Sequence, residues 1–125
     1  MPDQIGQPDQ LDKQGHLDQC GRLFIVGDIH ACPGELEALL KALSLQTEDH
    51  VVCLGDYIDR GPDAKAVVDL LLGMRTDNVC TLTFLKGNHE DMFLDFLGYG
   101  GLYGQAFLMN GGQQTVASYN CDPFT

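Results

Sequence analysis

Three times along this chain a short apolar run ends at a glycine that is followed at once by a side chain capable of chemistry. The three places are Gly27-Asp28, Gly55-Asp56 and Gly87-Asn88. The runs before them, Leu23 to Val26, Val51 to Leu54 and Val79 to Leu85, have the length and β-branched or aromatic content of buried strands. Each turn is followed by a helical pattern. Pro33 stands where a helix can begin, and Leu36, Leu39, Leu40 and Leu43 then repeat at one-face spacing. Pro62 is expected to open a second helix, with Val67, Leu70, Leu71 and Met74 on its apolar face and Asp77-Asn78 as its stop. A third helix is expected to bury Met92, Phe93, Phe96 and Leu97.

Strands that alternate with helices of this length predict an α/β fold with a mainly parallel sheet joined by crossovers. Ligands in such sheets gather beyond the carboxyl ends of the strands. All three loaded turns fall at that edge. Gly98 to Gly104 reads as a flexible connection, Leu102 to Met109 as a short helix or a lid, and Asn110-Gly111-Gly112 as a turn before a helical piece, Gln113 to Tyr119.

The totals narrow the class. Hydrophobic residues make up 44% of the 125, enough for a packed core of one small domain or a piece of a larger one. Residues 1–21 are poor in apolar side chains and are expected to form a disordered acidic tail, with His16 a solvated side chain; residues 22–125 form the folded part. Eighteen acids against seven bases give a formal charge of −11, which argues against nucleic acid or an anionic membrane surface as partner. The five cysteines form no CxxC pair; Cys53 and Cys80 lie in apolar runs as small hydrophobes, and the pattern suits a reducing compartment. No apolar stretch reaches membrane-spanning length, and no signal-peptide pattern opens the chain, so cytoplasm is the expected location.

Asp28, His30, Asp56 and Asn88 offer oxygen or imidazole nitrogen and no thiolate, a donor set for Mn²⁺, Fe or Zn²⁺. A carboxylate such as Asp56 can bridge two ions ~3.5–4 Å apart, an arrangement that activates water and clamps phosphate oxygens. Arg60 suits a phosphate held in two-pronged fashion. His89 near Asp59 would form an oriented imidazole able to protonate a leaving alkoxide. Taken singly, Asp28 and His30 also read as a turn residue and a surface histidine, Asp56 and Asp59 as an acidic pair at a helix start, Asn88 as a turn former and Glu90 as a first-turn acid. Three loaded turns at one edge favour the metal site. Tyr57 and Ile58 read as packing residues, His50 as exposed, and Cys32 as a thiol with no basic neighbour to activate it.

Gly27-Asp28-Ile29-His30, Gly55-Asp56-Tyr57-Ile58-Asp59-Arg60-Gly61 and Gly87-Asn88-His89-Glu90 resemble the three signature motifs of calcineurin-like metallophosphoesterases. Within that superfamily the Asp59-Arg60-Gly61-Pro62 ending is most similar to the phosphoprotein phosphatase branch, as in bacterial serine/threonine phosphatases; the related dinucleoside-tetraphosphate hydrolases usually lack an acid at the position of Asp59. The resemblance implies a dinuclear metal site, with manganese as first choice. Asp28, His30 and Asp56 would hold the first ion and Asp56 with Asn88 would begin the second. Arg60 and Asn88 would bind the substrate phosphate, and His89, supported by Asp59, would protonate the leaving group. A phosphorylated protein or a small phosphoester would be the substrate.

Two departures stand out. The family usually has glycine directly after the histidine of the first motif, where this chain has Ala31. The family completes its second metal with two later histidines and adds a downstream phosphate-binding arginine, whereas here no histidine follows His89 and the last arginine is Arg75. The expectation is therefore the N-terminal part of a metallophosphoesterase α/β sandwich, with a half-sheet left uncovered. A catalytically inactive metal-binding or interaction module and a dinucleoside polyphosphate hydrolase are the two rival readings.

Overall fold

A computed structural model describes residues 21–121. Of the tail assigned to residues 1–21, all but Gly21 lies outside the described residues, with His16 and Cys20, as do the final residues 122–125. Three strands, β1 (Leu23–Val26), β2 (His50–Cys53) and β3 (Thr81–Phe84), form one parallel sheet in the order β1-β2-β3. Between them run α1 (Pro33–Leu43) and α2 (Ala64–Thr76), and β3 leads into α3 (Asn88–Phe96). Two 3-10 turns, Gly104–Ala106 and Leu108–Asn110, then precede α4 (Gly112–Ser118). No described helix is long and apolar enough to cross a membrane.

Register divides the sheet into two unlike faces. Phe24 aligns with Val51 and Leu82, and Val26 with Cys53 and Phe84. These residues point into a core completed by Leu36, Val67, Leu71 and Met74 from α1 and α2. Each fully buried aliphatic side chain of this kind contributes roughly 1.5–3 kcal/mol. The alternate residues face outward: Leu23 is 63% exposed and Ile25 57% exposed. Among the described residues this side of the sheet is an exposed apolar face. On it His50 is half-buried rather than free, because its Nε2 lies 2.8 Å from Thr83 Oγ1.

A second, smaller core sits beneath the site edge. Phe107 is fully buried among Ala31, Ile58, Ala64 and Met92, and its ring stacks 5.0 Å from that of Phe93. Residues 102–109 are thus anchored through Phe107 instead of forming a lid. Several boundaries move for local reasons. The second helix starts at Ala64, not Pro62, because the Asp63 side chain caps it by accepting from the Ala66 N–H at 3.0 Å. Val79 and Cys80 lie before β3, although both still pack on the main core. Leu39 points outward, since Leu36 and Leu40 already fill the inward face of α1. Phe96 and Leu97 are exposed, although the Phe96 ring still meets that of Phe107 at 5.1 Å.

The opposite end of the sheet is fixed by a buried carboxylate. Asp49 accepts from the Arg22 backbone N–H at 3.0 Å, from Arg22 Nε at 3.2 Å, from the Arg22 terminal nitrogen at 2.7 Å and from the Gln46 N–H at 2.8 Å. The hydrogen bonds from the Arg22 guanidinium, and then the one from Gln46, hold its pKa well below the usual carboxylate range. A depressed folded-state pKa contributes stability that is complete above the unfolded value, about 4, and is lost as pH falls towards the folded one. Asp49→Asn should therefore destabilise the chain at pH 7, and the gap from wild type should narrow below about pH 4. Urea unfolding at pH 7 and pH 3 checks this; an equal gap at both pH values contradicts it.

Candidate metal centre and histidine–aspartate pair

The three turns meet at Asp56. Its carbonyl accepts the backbone N–H groups of Ile29 at 3.0 Å and His30 at 2.9 Å, which ties the first turn to the second. Its own N–H donates to Glu90 Oε1 at 2.7 Å, and its Oδ1 accepts the His89 N–H at 3.0 Å, which ties in the third. The Asn88 side-chain amide meets the Asp56 carboxylate, one of its terminal atoms 3.2 Å from Oδ1 and 3.1 Å from Oδ2. Gly55, at φ +118°, permits this approach, because a Cβ there would strike the backbone of Gly87.

Glu90 is the acid behind these turns. Besides Asp56 it accepts from the Tyr57 N–H at 2.8 Å and the Gly87 N–H at 2.9 Å. It lies three residues after the residue that precedes α3, the capping-box position, and that spacing was the signal by which the sequence could have revealed it. Asn88 is the first residue of α3, so the third turn is a helix start.

Asp28, His30 and Asp56 bring one ligand atom each to within 4.8 Å of one another. His30 Nδ1 lies 2.9 Å from the Ile58 carbonyl, so it carries the proton and donates, leaving Nε2 free as a ligand. That Nε2 is 3.6 Å from Asp28 Oδ2. Two carboxylate oxygens 4.8 Å apart, the outer limit here, repel by roughly 3 kcal/mol at an effective dielectric of about 20, and a divalent cation between them reverses the sign. Two oxygens and an imidazole nitrogen fit one hard or borderline divalent ion. Cys32 is not among the donors; its thiol points to the His30 carbonyl at 3.3 Å. Toward a second ion the described residues bring Asp56 and Asn88.

Beside this triangle lies a buried pair. His89 Nδ1 is 2.7 Å from Asp59 Oδ2, with His89 3% exposed and Asp59 fully enclosed. The His89 and His30 rings meet edge to face at 4.7 Å, so the pair adjoins the metal donors. Arg60 is exposed at the rim, and its backbone N–H donates to the Gly111 carbonyl at 3.1 Å. Tyr57 packs against Phe84 and donates its hydroxyl to the Leu85 carbonyl at 2.6 Å; Ile58 is buried. Burial raises the Tyr57 phenol far above its ordinary value and pushes the Cys53 thiol up to about 11, so both are inert packing groups. Arg75 lies on α2, beside Leu71, Leu72 and Phe84.

Residues 21–124 match the calcineurin-like phosphoesterase family. The chain belongs to that family. Among curated relatives it is 32% identical over 107 residues to serine/threonine-protein phosphatase 1 of Salmonella typhimurium, a match covering 85% of this chain and 46% of that protein. It is 33% identical over 78 residues to the symmetrical bis(5'-nucleosyl)-tetraphosphatase of Coxiella burnetii, covering 62% of this chain and 25% of that one. The chain thus spans less than half the length of these relatives.

Strain gathers around the family's motifs. His30, Ala31, Asp56, Asp59 and Arg60 all have positive φ, between 43° and 74°. Such non-glycine residues persist only where surrounding contacts over-determine them. Ala31, at φ 59° and fully buried, stands where the family pattern has glycine, and its methyl costs about 1–2 kcal/mol in that conformation.

The triple acceptor role of Glu90 yields a direct expectation. Glu90→Gln turns an amide NH₂ toward backbone N–H donors and should release Asp56, weakening Mn²⁺ binding about 10–100-fold with the fold retained. Calorimetry with circular dichroism checks this; unchanged affinity in a folded variant contradicts it.

Proposed function

We propose that this chain carries the first-metal and leaving-group half of a phosphoester-hydrolysing centre, and that its substrates are phosphomonoesters of the phosphoserine or phosphothreonine class. The observation that carries the reading is the 4.7 Å juxtaposition of His89 with His30, which puts a buried His–Asp pair beside the metal-donor triangle. Asp28, His30 and Asp56 would hold one divalent ion, and Asp56 with Asn88 would contribute to a second; manganese is the first candidate and iron or zinc the alternatives. Bound there, such ions activate water and neutralise charge on phosphate oxygens.

The side chains do the rest. Arg60, at the rim, and Asn88 bind the phosphate oxygens and hold the ester in line. Asp59 accepts the Nδ1 proton of His89 in a hydrogen bond, which fixes the ring and aims Nε2 at the site. His89 then gives its Nε2 proton to the departing alkoxide, so that the alcohol leaves neutral. The longer reach of the match to the Salmonella phosphatase supports a phosphoprotein substrate over a dinucleotide. The Coxiella relatives supply the second reading, a dinucleoside polyphosphate.

With Mn²⁺ and a phosphothreonine peptide, wild type, Asp56→Asn and His89→Asn separate the roles. His89→Asn should lower kcat roughly 10²–10⁴-fold with metal binding intact. Asp56→Asn should lose both metal and turnover. Undiminished turnover in both variants removes the assignment; one bound Mn²⁺ with no turnover in wild type favours a non-catalytic metal module. Faster hydrolysis of diadenosine tetraphosphate than of the peptide favours the second reading.

A further inference from the structure

Asp59 has a second partner that lies outside the three signature motifs. Thr115, on α4, is fully buried and lies 56 residues away in sequence. Its Oγ1 accepts the Asp59 backbone N–H at 2.8 Å and donates to Asp59 Oδ1 at 2.6 Å. One hydroxyl therefore uses both its acceptor and its donor capacity on the same residue. With Oδ1 engaged in this way, Oδ2 is the oxygen that faces His89 Nδ1, at 2.7 Å.

We propose that Thr115 is a positioning residue for the Asp59–His89 pair: its hydroxyl fixes the rotation of the Asp59 carboxylate and so selects the orientation and tautomer of His89. The proposal rests on the reading of His89 as the proton donor to the leaving group.

The arrangement looks built for this contact. Asp59 sits at φ 74°, a left-handed conformation that a non-glycine residue holds only under external constraint, and the Thr115 hydroxyl supplies one through the backbone N–H. The start of α4 docks against the same turn. Gly111, at φ 98°, accepts the Arg60 N–H, and a Cβ at Gly111 would press on Arg60 N at 2.7 Å. Gly112 lies flat on the Phe107 ring, where a Cβ would come within 2.6 Å. At the far end of α4, Ser118 Oγ accepts the Lys65 N–H at 3.2 Å and donates to the Thr115 carbonyl at 2.6 Å. The short helix is pinned at both ends, and the residue between those pins is aimed at Asp59. A threonine present only to fill space would not need its hydroxyl placed on both the amide and the carboxylate of one residue. In a dry surround a carboxylate oxygen left without a donor would turn toward another, and the histidine would lose its defined partner.

The test uses the full chain, ¹⁵N-labelled, as wild type, Thr115→Val, Thr115→Ser and Thr115→Ala. Valine keeps the volume and removes the hydroxyl; serine and alanine differ from each other by the hydroxyl alone. Three quantities are read: exchange of the Asp59 amide against that of Leu54, whose N–H donates to Val26 in the sheet; the His89 ring ¹⁵N shifts at one fixed pH without metal; and kcat and KM on the phosphopeptide with Mn²⁺. Thr115→Val should speed Asp59 exchange by about tenfold, the equivalent of one net hydrogen bond, with Leu54 unchanged. It should also mix the His89 tautomers and lower kcat about 10–100-fold at nearly constant KM. Serine should restore all three, and alanine should not. Wild-type exchange and tautomer in a folded valine variant overturn the proposal. So does a serine variant as impaired as alanine, a comparison that still decides if the valine variant does not fold. Absence of turnover in wild type would refute the hydrolase reading alone, because exchange and tautomer report on Thr115 without it.

Discussion

Asp56 has almost no freedom left to it. Its N–H, its carbonyl and one carboxylate oxygen are each committed to a different part of the other two turns, and its backbone is left-handed at φ 57°. Aspartate is one of the few side chains that tolerates that conformation. Everything at the site edge follows from this residue. The carbonyl sets the path of residues 29 and 30 and thereby the His30 ring; Glu90 sets the N–H; the remaining carboxylate capacity is turned to the metal donors. A substitution at Asp56 removes a candidate ligand and unlatches the three turns together.

The sheet explains why such a junction can exist. Parallel pairing aligns Val26, Cys53 and Phe84, so the strands stop level and their turns begin side by side. The Asp49–Arg22 network fixes the other end of the same strands. Between these two polar clamps lies a core on one face only. The other face, with Leu23 and Ile25 exposed among the described residues, takes no part in the site.

Much of this was legible from residue order. The strand ends and glycine positions marked the site edge, because a buried strand followed by glycine and a polar residue is a local pattern. The helix faces were readable for Val67, Leu71 and Met74, which do repeat on the buried side of α2. Other features depend on partners far along the chain. Nothing near Thr115 indicates that its hydroxyl meets Asp59, and nothing in the glycine-rich stretch after Leu97 marks Phe107 as the centre of a second core. Glu90 read as a helix-start acid, which it is; its hold on Asp56 and Tyr57 appears only when the turns are folded together. Ala31 was visible as a departure, and its left-handed φ supplies the reason a glycine is the family's usual choice there.

Three separate turns converge on one candidate cation-binding point. Crystals of the full chain grown with Mn²⁺, with diffraction recorded at the manganese absorption edge, test it most directly. An anomalous peak in contact with Asp28, His30 Nε2 and Asp56 together is the expected result. A peak that excludes His30, or manganese bound only elsewhere on the acidic surface, would contradict it.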